Sequence, residues 1–192
     1  MTLVLATNNQ HKVKEIKRIL GDFFPDVKTM GEMGLKIDVE ETGETFEENS
    51  FLKADAVCKI TGCPSLADDS GLCVRALNGE PGVYSARYAG DEHDDDKNIE
   101  KLLRNLNGKT DRGAEFVTVI TLLYPDGKKI VSIGKTEGEI TFEKKGTGGF
   151  GYDPVFYSYD LKKTFAEASE DEKNAVSHRG RALRTLEETL RK

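Results

Sequence analysis

Glycine crowds the run Gly146-Thr147-Gly148-Gly149-Phe150-Gly151-Tyr152-Asp153, with four glycines in its first six residues, and Pro154 closes it. Ordering such a loop costs backbone entropy, a cost usually met where a backbone must approach a ligand closely. Phe150 and Tyr152 offer flat apolar faces and Asp153 an acceptor, a set that suits a planar, hydrogen-bonding ligand such as a nucleobase. The same residues also suit a tight connection between two strands.

Charge gathers in four further places. Thr7-Asn8-Asn9-Gln10-His11-Lys12 joins a strand end to a helix start, where unpaired backbone N–H groups and the helix dipole favour anions. Lys12 adds a cation in the first turn, although the glycines of a Walker A loop are missing. Here Asn9 is either part of an anion site or a plain N-cap. Lys53 falls mid-helix on the side shared with Asn49 and Ser50, so it must face either a carboxylate or a ligand anion. Ala67-Asp68-Asp69-Ser70-Gly71 sets two adjacent acids inside an apolar run, and Glu40-Glu41 supplies a second acidic pair. Together they could hold Mg²⁺, which uses one or two carboxylates plus phosphates and waters; otherwise Asp69 and Ser70 build a turn. Lys173 to Gly180 brings Lys173, His178 and Arg179 within two helical turns. Arginine's planar fork suits phosphate or a base carbonyl. No nucleophile pattern accompanies His178, which favours a donor role.

These residues need elements to position them. Residues 3–7 read as a buried strand, and Val13, Ile16, Ile19 and Leu20 follow at helical spacing with Gly21 as the stop. Residues 27–30 and 37–39 are short strand candidates. Thr45 and Glu48 match a capping box for a helix running to Gly62, with Phe46, Ala56, Val57 and Ile60 on its apolar side. Residues 65–67 and 72–74 read as strand segments interrupted by the acidic insert. A helix follows Asp94-Asp95-Asp96, acids that favour its N-terminus. Residues 115–124 and 129–138 form a hairpin through Pro125-Asp126-Gly127. Ser169 and Glu172 form another capping box before a last helix bearing Ala182, Leu183, Leu186 and Leu190. The order predicts an α/β fold with a mixed, partly antiparallel sheet and flanking helices.

The chain of 192 residues suits one domain, with no linker or repeat. Its 28 basic and 34 acidic residues give a net charge of −6, which disfavours long nucleic acids as partners. No apolar run approaches the roughly 20 residues that cross a bilayer, and the N-terminus lacks a signal-peptide pattern, so a cytoplasmic location is expected. The three cysteines form no C-x-x-C pair and the three histidines no ligand spacing.

In this order the segments resemble the inosine triphosphate pyrophosphatase (Ham-type) family, from Leu3 to about Leu190. The anchors are Leu66-Ala67-Asp68-Asp69-Ser70-Gly71-Leu72, Pro81-Gly82-Val83-Tyr84-Ser85-Ala86-Arg87-Tyr88, the glycine-rich loop and Ser177-His178-Arg179. The resemblance implies an elongated fold of two lobes around a central cleft, and a homodimer. It also implies hydrolysis of ITP, dITP and XTP to the monophosphate and pyrophosphate, a cleansing of the nucleotide pool. By that resemblance Thr7, Asn8, Asn9, Gln10, His11, Lys12 and Lys53 bind the triphosphate, and Ser70 sits against the substrate. Glu40 and Asp69 hold Mg²⁺, and Asp69 activates the attacking water. Phe150, Gly151, Tyr152, Asp153, Lys173, His178 and Arg179 frame the base and sugar. Many members carry Gly where this chain has Asn8, and eukaryotic relatives carry Trp where it has Tyr152.

Overall fold

The computed structural model describes residues 1–7 and 9–192. In chain order the main elements are Thr2–Leu5 (β1), Gln10–Leu20 (α1), Asp26–Thr29 (β2), Phe46–Thr61 (α2), Ser65–Val74 (β3) and Asp95–Asn105 (α3). Gly113–Leu123 (β4), Lys129–Ile140 (β5), Phe156–Ser158 (β6), Lys163–Thr164 (β7), Glu170–Val176 (α4) and His178–Leu190 (α5) complete them. The strands form a seven-stranded sheet ordered β2-β1-β3-β4-β5-β6-β7. β1 is parallel to β2 and β3, while β6 is antiparallel to β5 and β7. The fold is therefore α/β with a mixed sheet and flanking helices.

The chain divides into two compact units, Met1–Asp69 with Thr118–Gly134 and Gly180–Lys192, and Ser70–Val117 with Lys135–Arg179. In the first unit, alternation along β1 covers both faces of the sheet. Leu3 and Leu5 join Leu66 and the apolar side chains of α1 and α5, while Val4 joins Ala67, Ala54, Val57 and Cys58. The second unit packs Leu72, Val74, Ile99 and Leu102 around an aromatic centre. There Phe116 lies 4.6 Å from Phe156, and Phe156 lies 5.0 Å from Phe165, centroid to centroid.

Local signals set the α2 ends. Thr45 accepts from Glu48 N–H, Glu48 answers at the Thr45 backbone, and Gly62 ends the helix at φ 64°. Three expectations differ from the structure. Residues 65–74 are one continuous strand, because each acid of the insert meets a lysine and so can stay inside the sheet. Residues 37–39 form no strand, and Ile37 packs by its side chain on the α2 cluster. The buried side of α2 is also shifted, to Asn49, Ser50, Ala54, Val57 and Cys58. Ile60 points outward, since Ser50 pairs with Thr121 at 2.8 Å and turns the helix toward β4.

Candidate active site

In the first unit, β3 presents two acids to two helices. Leu66 belongs to the cluster with α1 and Ala67 to the cluster with α2. The strand period of two therefore sends Asp68 to the α1 side and Asp69 to the α2 side. Lys12 meets Asp68 there, its Nζ 3.0 Å from Oδ1 and 2.9 Å from Oδ2. Thr7 Oγ1 accepts from Asn9 N–H at 3.1 Å, and Asn9 Oδ1 from Lys12 N–H at 3.4 Å, so the turn into α1 is held locally. Gln10 opens α1 on its exposed side. Asn8 and the His11 side chain lie outside the described residues.

On the α2 side Lys53 donates to Glu41 Oε1 at 2.5 Å and to Asp69 Oδ1 at 3.4 Å. Asp69 is 7% exposed, and its Oδ2 has no hydrogen-bond partner among the described residues. Burial raises the Asp69 carboxyl above the usual range against the pull of Lys53, and the Glu41 charge adds to the rise. Burial draws Lys53 down, but Asp69, Asp68 and Glu41 together outweigh it and leave the ammonium more firmly protonated. Glu40, expected as a metal ligand, is exposed and makes no side-chain hydrogen bond or ion pair among the described residues. Glu41, one residue on, reaches the lysine instead. Ser70 follows Asp69 along β3, half-buried.

In the second unit the glycine-rich loop is tied at both ends. Asp153 Oδ2 accepts from Phe150 N–H at 2.8 Å and from Lys173 Nζ at 2.5 Å. Gly149 has φ 74°, and a Cβ there would lie 2.1 Å from that same oxygen, so only glycine fits. Phe150 is 46% exposed, with the Lys173 ammonium 4.5 Å from its ring centre. Tyr152 behaves differently from the expected second flat face. It is 5% exposed inside the core, and its hydroxyl donates to the Ser85 carbonyl at 2.7 Å. Ser177 is extended, which breaks the chain between α4 and α5 and puts His178 and Arg179 in the first turn of α5. Both are buried, and the His178 ring stacks on Phe116 at 4.7 Å and 11°.

Three contributors lay outside the sequence-based set. Asp95, beyond its place in the first turn of α3, accepts from Gly151 N–H at 2.7 Å. Ser85 holds Tyr152 and also accepts from Leu72 N–H at 2.9 Å. Asn49, one turn before Lys53 on α2, is wholly buried. An acidic helix start was a visible signal for Asp95; Ser85 carried none beyond its place in an anchor segment.

The Ham1 family profile matches residues 3–189. The chain belongs to the Ham1 family. Its sequence is 52% identical to the dITP/XTP pyrophosphatase of Clostridium perfringens, covering 98% of this chain and 96% of that one. The structure of the Ham1 protein of Staphylococcus aureus superposes with a TM-score of 0.94 at 48% identity, over 100% of this chain and 98% of the other. A Ham1 protein from Coxiella burnetii gives 0.93 at 43% identity, over 99% and 98%. Among the described residues of this Ham1 member, no helix is long and apolar enough to cross a membrane.

Proposed function

We propose that the chain is a nucleoside-triphosphate pyrophosphatase that hydrolyses dITP, XTP and ITP to the monophosphate and pyrophosphate. The observation that carries this reading is Asp69, a buried carboxylate with one oxygen turned to Lys53 and the other without a hydrogen-bond partner among the described residues. The names of full-length relatives at about half identity support the substrate class.

The acids fit a hard divalent cation. Asp69 Oδ2 is an oxygen donor in need of a partner, and Glu41 shares a cation with Asp69. Among the described residues no three or more His, Cys, Asp or Glu side chains gather into a cage. Mg²⁺ takes one or two carboxylates and keeps waters and substrate phosphates in its shell. Asp69 and the 40–41 acid pair would hold it, and when bound it neutralises phosphate charge and polarises the reacting phosphoryl group.

The remaining steps belong to the chain. Lys12 and Lys53 exchange carboxylate partners for triphosphate oxygens, and the positive end of the α1 dipole favours the same anion. Asp69, its basicity raised by burial, takes the proton of the water that attacks the α-phosphorus in line. The bond to the bridging oxygen breaks and pyrophosphate leaves. Phe150 stacks on the base, while Lys173, His178 and Arg179 supply donors. A 6-keto group accepts those bonds and the 6-amino group of adenine does not, a mismatch able to discriminate strongly.

The deciding experiment incubates the protein with Mg²⁺ and dITP, ITP, XTP, ATP, GTP, UTP and dTTP, and assays pyrophosphate and orthophosphate separately. Pyrophosphate from the first three, with little from the rest, is expected. Orthophosphate instead, or faster turnover of UTP or dTTP, overturns the reading. Sedimentation of the same preparation tests the homodimer implied by the resemblance.

A further inference from the structure

Asn49 sits on α2 one turn before Lys53 and is 0% exposed. A fully buried amide ordinarily has both of its ends engaged. One end is settled, because Asn49 Oδ1 accepts from Gly43 N–H at 2.8 Å. A backbone N–H needs an acceptor, so the opposite end must be the NH₂ group. That Nδ2 is buried without a hydrogen-bond partner among the described residues, as is Asp69 Oδ2. One turn further along α2 the Lys53 ammonium reaches Asp69 Oδ1 at 3.4 Å, and residues four apart share a helix face, so Asn49 leaves α2 on the side of the acids. At the other end Gly43 fits so closely that a Cβ would lie 2.7 Å from Asn49 Oδ1 and 2.7 Å from Glu48 Cβ. Gly43 is two residues from Glu41, whose carboxylate shares Lys53 with Asp69.

Asn49 thus holds the segment that bears Glu41 and shares its helix face with the lysine that meets Asp69. We propose that Asn49 is a positioning residue, which clamps the segment bearing Glu41 through Gly43 and directs its NH₂ at Asp69, fixing the separation of the two carboxylates. This rests on the reading of Asp69 as the base and of the two acids as the cation's ligands. No bond to substrate is required of Asn49. Its loss should be felt in turnover and in cation affinity and little in substrate affinity, whereas a merely structural role would lower stability alone.

The test uses Asn49→Ser, with Gly43→Ala pressing on the same link from its other end. Steady-state kinetics with dITP, Mn²⁺ titration calorimetry on the nucleotide-free protein, and thermal melts are run on both variants and the parent. In folded variants kcat should fall about 10–100-fold and Mn²⁺ affinity weaken about tenfold, with KM within about threefold of the parent. Variants that keep kcat and Mn²⁺ affinity within about twofold of the parent overturn the proposal. So does a loss confined to the melting temperature. If Asn49→Ser does not fold, Gly43→Ala decides by the same measures. An inactive parent would sink the pyrophosphatase reading instead, and the Mn²⁺ comparison would still report on the Asn49 link.

Discussion

The Lys53 ammonium lies 3.4 Å from Asp69 Oδ1 while holding Glu41 at 2.5 Å on its other side. One cation therefore balances two carboxylates, and Lys53 is itself largely buried. The arrangement separates two acids that would otherwise repel, and it stores a positive charge where a triphosphate would need one.

Lys53→Ala tests that balance. Removing the cation leaves Asp69 and Glu41 facing each other, and breaking a fully buried pair costs about 3–5 kcal/mol. The three side chains here keep 10–27% exposure, so screening reduces this to about 1–2 kcal/mol. The melting temperature should drop by about 2–8 °C, Mg²⁺ should restore more of it than in the parent, and kcat/KM should collapse. A variant with parental melting and turnover would reduce Lys53 to a bystander.

Asp69→Asn should act in the opposite direction on stability. Burial disfavours the charged form of Asp69, so a neutral amide of the same shape should leave the metal-free protein as stable as the parent or slightly more so. Turnover should fall by about 10²–10⁴-fold, the usual contribution of a general base, while calorimetry still detects dITP binding. Near-parental rates would remove Asp69 from the chemistry.

The sequence was most readable where signals are local. The Thr45–Glu48 box and Gly62 bounded α2, and Pro125-Asp126-Gly127 marked the β4–β5 turn, where Gly127 takes φ 87°. Long-range partners were hidden. Asp68 and Asp69 looked like an interruption of β3, because the lysines that keep them in the strand come from two different helices. The β6 and β7 strands, three and two residues long, fall below the length at which alternation can be recognised. Tyr152 read as a ligand-facing ring, since nothing in residues 146–153 reveals a carbonyl 67 residues away. Glu40 and Glu41 could not be separated, because the irregular segment before α2 has no period to say which side chain turns inward.

The exposed pair Arg75–Asp111 gives a pH prediction clear of the proposed catalytic residues. Arg75 Nε lies 2.6 Å from Asp111 Oδ2 and its terminal nitrogen 2.8 Å from Oδ1. That fork, with the Gly113 N–H, depresses the Asp111 carboxyl from 3.8 to about 2. A depressed carboxyl stabilises the fold fully above its unfolded value. The contribution fades as pH falls from about 4 through about 2. Carboxyl-carbon NMR should find Asp111 titrating near the lower value, and Arg75→Ala should return it toward the ordinary one. An Asp111 that titrates normally in the parent would mean the fork does not persist in solution.

Tyr152→Phe tests how the glycine-rich loop is held. Ser85 is a junction: its Oγ accepts from Leu72 N–H and donates to Gly82 O, and its carbonyl takes the Tyr152 hydroxyl. Burial pushes that hydroxyl well above the ordinary phenol range, so it stays a donor at every accessible pH. Phenylalanine keeps the ring in the core and removes only the bond, leaving the Ser85 carbonyl to find another partner. The expected cost is about 1 kcal/mol, or roughly fivefold in an equilibrium constant. It should appear as a higher KM for dITP and a smaller preference over dATP, with kcat changed less, if the loop frames the base and not the phosphorus as proposed. A fall in kcat at constant KM would place the Tyr152 anchor on the chemical step instead.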